Sequence, residues 1–165
     1  EKFGYKNEME VPKPTKVVLN VGFGRHTKEK DYIANVEKTL TAIYGQKPVF
    51  TEARLSVSSF KVRKGMTIGA KVTLRGKKMD DFLNKLINVT FPRVRDFRGI
   101  TDKSIDSTGN ITVGFKENTA FPEVTVDEIE KIHGLEVCIS TTAKTKEEGV
   151  ELFTLLGFPF KKEDK

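Results

Sequence analysis

The sequence predicts an α+β protein, with one domain in which helices pack on one face of an antiparallel sheet. Its length of 165 residues is typical of a single compact domain. Segments with alternating apolar side chains are interleaved with segments of helical period, in the approximate order β-α-β-β-α-β-α-β-α. The connections are short and polar, and no repeat or low-complexity tract interrupts them.

The first strand and the first helix have clear patterns. Residues 15–23 alternate apolar side chains with small or polar ones, which is typical of a strand with one buried face. Apolar residues then recur at helical spacing, which predicts a helix capped by Asp31 and running to Tyr44. Gly45 is the expected stop, because glycine readily adopts the left-handed conformation that ends a helix.

A basic β-hairpin is predicted next. Residues 56–63 and 68–75 have strand-like patterns and are joined by residues 64–67, where Gly65 can adopt a positive φ. Because side chains alternate between the faces of a strand, one face of this hairpin is predicted to be polar and cationic, with Ser59, Lys61, Arg63, Lys71, Thr73 and Arg75. Phe60 fits either the core or a position that stacks on a nucleic-acid base.

The second half of the chain continues the alternation. An amphipathic helix that begins near Met79 is predicted to end before Phe91-Pro92, and residues 93–109, which lack a regular period, are predicted to form an extended, mobile loop.

Strands and capped helices complete the prediction. Strands are expected at residues 111–115 and 135–142. Capping boxes at Thr125 and Thr145 predict a short helix to His133 and a final helix to Leu156. With its helices on one face of the sheet, this is a ferredoxin-like or RRM-like arrangement with extensions.

The positive charge of the chain is regional. Lys and Arg number 29 against 23 Asp and Glu, a net charge of +6. Residues 54–98 contain twelve cations and three anions, a local charge of +9, so the rest of the chain carries −3. No acid lies between Arg54 and Lys78, and a surface of this kind repels itself unless it faces a polyanion. RNA is therefore the favoured partner.

Other classes of function receive little support. Cys138 is the single cysteine, so neither an internal disulfide nor a cysteine-based zinc site is expected, and no cofactor is predicted. No apolar run reaches the ~18 residues that a membrane helix needs. We therefore expect a cytoplasmic protein without a membrane partner.

Two alternatives to RNA binding stay open. Residues 21–27 form a glycine-rich strand end that superficially resembles a dinucleotide motif, but Thr27 stands where the third glycine belongs. The motif therefore favours a strand end at which a backbone approaches closely, and it gives little support to a nucleotide-using or RNA-modifying enzyme. His26 and His133 are far apart in sequence, and no catalytic residue is assigned. The second alternative is a scaffold whose cationic face binds an acidic protein.

Several motifs resemble the bacterial-type fifth protein family of the large ribosomal subunit, and they span nearly the whole chain. They are Leu19-Asn20-x-Gly22-x-Gly24, Gly45-Gln46-Lys47-Pro48, Phe60-Lys61-x-Arg63-x-Gly65, Ile68-Gly69-x-Lys71-Val72-Thr73-Leu74-Arg75-Gly76, Pro92-Arg93-x-Arg95-Asp96-Phe97-Arg98-Gly99, Phe121-Pro122-Glu123, Thr141-Thr142-Ala143 and Gly157-Phe158-Pro159-Phe160.

This resemblance implies a structural protein, not an enzyme, that binds 5S rRNA in the central protuberance of the cytoplasmic ribosome. The RNA is expected on the sheet face opposite the helices. Asn20, Gln46 and Thr73 match family positions associated with 5S rRNA contact. Together with the hairpin, the expected RNA-binding set is Asn20, Gln46, Arg54, Ser59, Phe60, Lys61, Arg63, Lys64, Lys71, Thr73 and Arg75.

Further partners are also implied by the resemblance. They are 23S-type rRNA, neighbouring large-subunit proteins, a P-site tRNA near residues 56–66, and a small-subunit head protein near residues 93–110, with Arg93, Arg95 and Arg98 as contacts. Glu52 and Leu55 stand where the family often has a basic residue, so weaker RNA binding is expected at this entrance to the hairpin. The family's additional N-terminal helix is expected to be absent, or represented only by residues 1–5.

Overall fold

The computed structural model describes residues 2–24, 26–27, 29–124 and 132–161. A five-stranded antiparallel sheet has the strand order β2-β3-β1-β5-β4. Its strands and the three helices longer than one turn follow the chain as β1 (Pro14–Gly22), α1 (Lys30–Tyr44), β2 (Val49–Glu52), β3 (Thr67–Leu74), α2 (Lys77–Lys85), β4 (Ile111–Phe115), β5 (Leu135–Thr141) and α3 (Lys146–Leu155). The α+β class predicted from sequence is confirmed.

The chain forms two compact units. One comprises residues 19–73 and 114–136, and the other comprises residues 1–18, 74–113 and 137–165. The first, which we call the β2–β3 unit, contains α1, β2 and most of β3. The second, which we call the α2–α3 unit, contains α2, β4 from Ile111 to Val113 and α3.

Apolar alternation builds the core of the β2–β3 unit. Leu19 and Val21 of β1 and Ala70 and Val72 of β3 are fully buried or nearly so. An aromatic cluster extends this core, with the ring of Phe121 edge-on to that of Tyr44 at 6.2 Å between centroids. Burial raises the pKa of the Tyr44 hydroxyl, and the charge of Glu123 adds to the shift.

In the α2–α3 unit, helix α2 presents Met79, Phe82 and Leu83 to the core. The chain then stays helical through one π turn, Leu86–Thr90, and a last turn, Phe91–Arg93. Pro92 therefore does not end the helix before residue 91, as the sequence predicted. It lies in the first turn of the short final segment, which continues directly from the π turn.

The largest correction concerns the hairpin. Residues 56–63 are not a strand, because the partner of β3 is β2, with Val49 opposite Lys71 and Thr51 opposite Gly69. The second predicted strand is confirmed as β3. The four-residue β2 is too short for its alternation to stand out in the sequence, and the longer run after it resembled a strand more closely.

Helix ends agree with prediction at two places and differ at a third. Gly45 ends α1 in the left-handed conformation (φ 61°), and the side chain of Thr145 caps α3 by accepting from the backbone N–H of Glu148. Asp31 is not the cap of α1, which begins at Lys30, and instead lies in its first turn. The helix predicted from Thr125 lies mostly outside the described residues.

Residues 93–109 are more structured than the extended loop that the sequence predicted. Ile100 pairs with Phe160 in an isolated parallel bridge, and Ile105 pairs with Ile111. A 3-10 turn, Asp102–Ser104, lies between these bridges. Local period is a poor guide here because single long-range bridges order the segment.

Candidate nucleic-acid interface

Strand β3 supplies a polar sheet face in the β2–β3 unit. Ala70 and Val72 point into the core, whereas Lys71 between them is exposed and Thr73 is half-buried. This is the alternation that the sequence predicted for β3. On the neighbouring β1, Asn20 is exposed between two buried residues, so it lies on the same side of the sheet.

Gln46 joins this face through a hydrogen bond. It follows α1 directly, after the left-handed turn at Gly45, and its side-chain Nε2 donates to the backbone carbonyl of Thr73 at 3.4 Å. The bond is long and therefore weak, but it places the Gln46 amide at the end of β3. Two residues 27 positions apart in sequence thus become neighbours.

Gly69 lies at a closely packed position on the same face. A Cβ atom at this position would lie 2.8 Å from Thr51 Oγ1 and 2.9 Å from the Val21 carbonyl oxygen, too close for any other residue. The glycine-rich end of β1 has no such restriction, since Gly22 and Gly24 face open space. The prediction that a backbone approaches residues 21–27 closely is therefore wrong at those glycines. The close approach occurs instead at Gly69.

Beside this face, residues 53–66 form a closed loop, which we call the β2–β3 loop. Two backbone hydrogen bonds seal its base, from Ala53 N–H to the Met66 carbonyl (2.8 Å) and from Gly65 N–H to the Ala53 carbonyl (3.0 Å). Further out, Val57 and Val62 form a bridge with two bonds. The loop thus has a defined path without belonging to a strand pair.

The tip of the β2–β3 loop is a 3-10 turn, Ser58–Phe60, followed by Lys61 in the left-handed conformation (φ 54°). The alternation predicted for residues 59–63 is therefore wrong, because the tip is a turn. The ambiguity at Phe60 is resolved, since its side chain is 76% exposed and does not belong to the core.

Exposed charge surrounds that tip. Arg54, Ser59, Lys61, Arg63 and Lys64 are all exposed. Within the described part of the chain, none of these cations has an acidic partner within 4 Å. Leu55 is also 76% exposed, so the loop combines unpaired cations with bare apolar side chains, a composition suited to a partner surface.

The remaining predicted cations lie in the α2–α3 unit. Arg75 is exposed and directly follows β3, at the turn into α2. Arg93, Arg95 and Arg98 are exposed in the segment after the last helical turn.

No catalytic constellation is found among the described residues. His26 faces Glu29 (3.1 Å) and stacks on Tyr32, while His133 is buried against Asn118 (3.3 Å). The same residues contain no group of His, Cys, Asp or Glu placed to hold a metal ion. None of the described helices has the length and apolar character needed to cross a membrane.

Family models match almost the whole chain. The model described as ribosomal protein L5 matches residues 7–63, and the model for the C-terminus of the same ribosomal family matches residues 67–160. The chain belongs to the ribosomal protein L5 family. The two matches meet inside the β2–β3 loop, so the sheet face draws residues from both.

Relatives within the L5 family are similar over nearly their full length. The large ribosomal subunit protein uL5 of Desulfatibacillum aliphaticivorans is 52% identical over 98% of this chain and 90% of the relative. Those of Dehalococcoides mccartyi and Desulforamulus reducens are 53% and 51% identical, with the same coverage. The family assignment made from sequence motifs is confirmed, and L5 proteins are structural rather than catalytic.

The sequence missed three contributors to this region. Val49 and Thr51 share the open face with Lys71 and Gly69 through the β2–β3 register, and Leu55 is exposed beside the cations of the loop. Recognising the alternation of Val49 and Thr51 with Phe50 and Glu52 would have identified the first two.

Proposed function

We propose that this L5-family protein binds 5S rRNA through the open sheet face of its β2–β3 unit, without turnover. As a family member it is a structural constituent of the large ribosomal subunit and is located in the ribosome, which is cytoplasmic in bacteria. The observation that carries the proposal is the convergence of Asn20, Gln46, Lys71 and Thr73 on one unit, three of them on a sheet face and Gln46 bonded to Thr73.

The chemistry of this face suits structured RNA. The Lys71 ammonium would neutralise a phosphate, while the amides of Asn20 and Gln46 and the Thr73 hydroxyl both donate and accept, as ribose 2′-hydroxyls and base edges require.

The β2–β3 loop is proposed to contact P-site tRNA. Its support is the exposed Phe60 between unpaired cations, because an exposed aromatic ring stacks on bases or riboses and the cations neutralise the backbone. The contact of Arg93, Arg95 and Arg98 with a small-subunit head protein, expected from the resemblance, stays a prediction. So do contacts with 23S-type rRNA and neighbouring large-subunit proteins, and the single-domain boundary at residues 1–165.

The test of 5S rRNA binding uses Lys71→Gln in the full chain. Affinity for purified 5S rRNA, measured by filter binding across a salt series, should fall at least fivefold at ~150 mM salt. The slope of log K against log salt should become shallower by roughly one unit, as for one lost phosphate contact. Lys30→Gln is the matched control, because Lys30 is an exposed cation of the same unit at the start of α1.

Equal effects of the two variants would show that only net charge matters and would overturn the sheet-face site. Wild-type protein that does not select 5S rRNA from total cellular RNA at physiological salt would refute the proposal as a whole. RNA-independent retention in a nuclease-treated native complex would favour the protein-binding scaffold instead.

A further inference from the structure

Residues 61–66 of the β2–β3 loop, which we call the return limb, carry their cations on a hydrogen-bonded backbone. Each backbone N–H group from Lys61 to Met66 donates a hydrogen bond, with donor–acceptor distances of 2.9–3.2 Å. Lys61, Arg63 and Lys64 are all exposed, so they present their charge to solvent from an ordered segment.

Two side chains in the loop accept N–H groups that the backbone leaves over. Lys64 N–H donates to Ser56 Oγ at 2.9 Å, and Arg63 N–H donates to Met66 Sδ at 3.1 Å. These two residues begin a β-turn in which Met66 N–H donates to the Arg63 carbonyl (3.1 Å), with Gly65 at a φ of 85°. A β-turn does not use the N–H groups of its first two residues. Ser56 and Met66 therefore supply the acceptors that the turn lacks.

Side-chain packing contributes little to the conformation of this loop. The side chains of Leu55 and Phe60 are each 76% exposed, and that of Val57 is 39% exposed. Lys61 also adopts the left-handed conformation, which is strained in a residue other than glycine. A segment with little burial and a strained residue depends on its hydrogen bonds for a defined path.

We propose that Ser56 and Met66 are positioning residues, which fix the backbone of Arg63 and Lys64 in its binding geometry before the RNA partner arrives. The proposal rests on the proposed contact of the β2–β3 loop with P-site tRNA. A preorganised limb loses less conformational entropy on binding, so its order adds affinity without an added contact. The net contribution of one such hydrogen bond corresponds to roughly two- to tenfold in affinity.

The first test measures the order of the return limb in the free, full-length protein. Trypsin cleavage after Lys64, followed by mass spectrometry, should be roughly fivefold faster in Ser56→Ala and in Met66→Leu, because each variant removes one acceptor. Ser56→Thr keeps the hydroxyl and should be cleaved like wild type. The urea midpoint should not shift in any of these variants, since the bonds order only an exposed segment.

The matched control is Ser107→Ala, which removes an exposed serine hydroxyl from the α2–α3 unit. Cleavage after Lys64 should proceed at the wild-type rate in this control. Cleavage after Lys103, an exposed lysine of that unit, is the internal reference for every protein.

The second test measures the affinity for P-site tRNA of ribosomes reconstituted with each protein, across a series of monovalent salt concentrations. Ser56→Ala should weaken binding roughly three- to tenfold, while Ser56→Thr and Ser107→Ala should match wild type. The slope of log K against log salt should stay unchanged in Ser56→Ala, because every cation of the loop is retained. Lys64→Gln removes a cation and should make the slope shallower by roughly 0.7–0.9.

Three results would overturn the inference. Cleavage after Lys64 that is not faster in Ser56→Ala removes its basis. Faster cleavage with unchanged tRNA affinity gives the two side chains a purely structural role. Weaker tRNA binding with unchanged cleavage makes Ser56 a direct RNA contact. Failure of the tRNA contact itself is distinguishable, since Lys64→Gln and Phe60→Ala would then also bind tRNA like wild type.

Discussion

The β2–β3 loop and the turn at residues 106–110 both have exposed polar side chains and both contain a glycine with positive φ, yet they use their polar groups in opposite ways. In the turn, both Asp106 carboxylate oxygens accept hydrogen bonds, from Thr108 and Asn110, at 2.8–3.0 Å. The β2–β3 loop instead closes through its backbone and leaves its cationic side chains unpaired.

The difference shows which exposed segment is structural. The 106–110 turn also binds the chain next to it, since Asn110 Oδ1 accepts from the Thr141 N–H and the Gly109 carbonyl accepts from the Thr141 hydroxyl. A segment whose polar groups are satisfied internally has little left for a partner. The β2–β3 loop has exposed side-chain donors and exposed apolar area that are available to a partner.

The largest effect is expected from Gly109→Ala. A Cβ atom there would lie 2.6 Å from the Ala143 Cβ and 2.9 Å from the Thr145 carbonyl oxygen, at a φ of 77°. Strain and overpacking together should lower the free energy of unfolding by roughly 3 kcal/mol, measured by urea denaturation. Gly114→Ala is the control, because that position faces open space. Equal stability of the two variants would contradict a structural role for the turn.

A smaller effect is expected from Phe60→Ala, and on binding rather than on folding. The free energy of unfolding should change by less than about 0.5 kcal/mol, because the ring is 76% exposed. If Phe60 stacks on tRNA, affinity should fall by about 1–3 kcal/mol, seen as faster dissociation of P-site tRNA from ribosomes reconstituted with the variant. Leu155→Ala, at a 78% exposed apolar position outside the loop, should leave dissociation unchanged. A destabilised Phe60→Ala protein would instead make the loop structural.

The smallest effect is expected from Asp106→Asn, and it should depend on pH. Burial opposes the charged form of Asp106, but hydrogen bonds from Asn110 and Thr108 outweigh it and hold the pKa below its usual value. Because the folded pKa lies below the unfolded one, the stabilisation is complete above about pH 4 and is lost as the pH falls through the folded pKa. At pH 6 the free energy of unfolding of the variant should be about 1 kcal/mol lower than that of the wild type.

Urea denaturation of both proteins at pH 6 and at pH 2–3 checks this prediction. The difference in the free energy of unfolding between wild type and Asp106→Asn should become smaller at the lower pH. Glu148, whose pKa is also lowered, chiefly by the Lys144 backbone N–H, titrates in both proteins and therefore cancels from the comparison. A difference in the free energy of unfolding that does not change with pH would show that the charge of Asp106 contributes nothing to stability.

Local patterns predicted much of this structure correctly. The alternation around Lys71, the left-handed stop at Gly45 and the cap at Thr145 all agree with the structure. Each depends on interactions within a few residues, or on the regular alternation of side chains along a strand. The regional positive charge and the motifs that placed the chain in the L5 family needed no fold at all.

Strand pairing could not be read from the sequence. Residues 56–63 have a strand-like pattern, but β3 pairs with the four-residue β2, in a register that places Phe50 opposite Ala70, and the longer segment becomes a loop. This choice exposed Phe60, which local alternation had left ambiguous between core and surface.

The sequence by itself determined the class of the fold, the family and the region of positive charge, because composition, period and motif are properties of the linear chain. Only the tertiary structure decided which residues meet. It brought Gln46 to Thr73 and fitted Gly69 against Val21. Those contacts arise from long-range packing, which the local sequence does not encode.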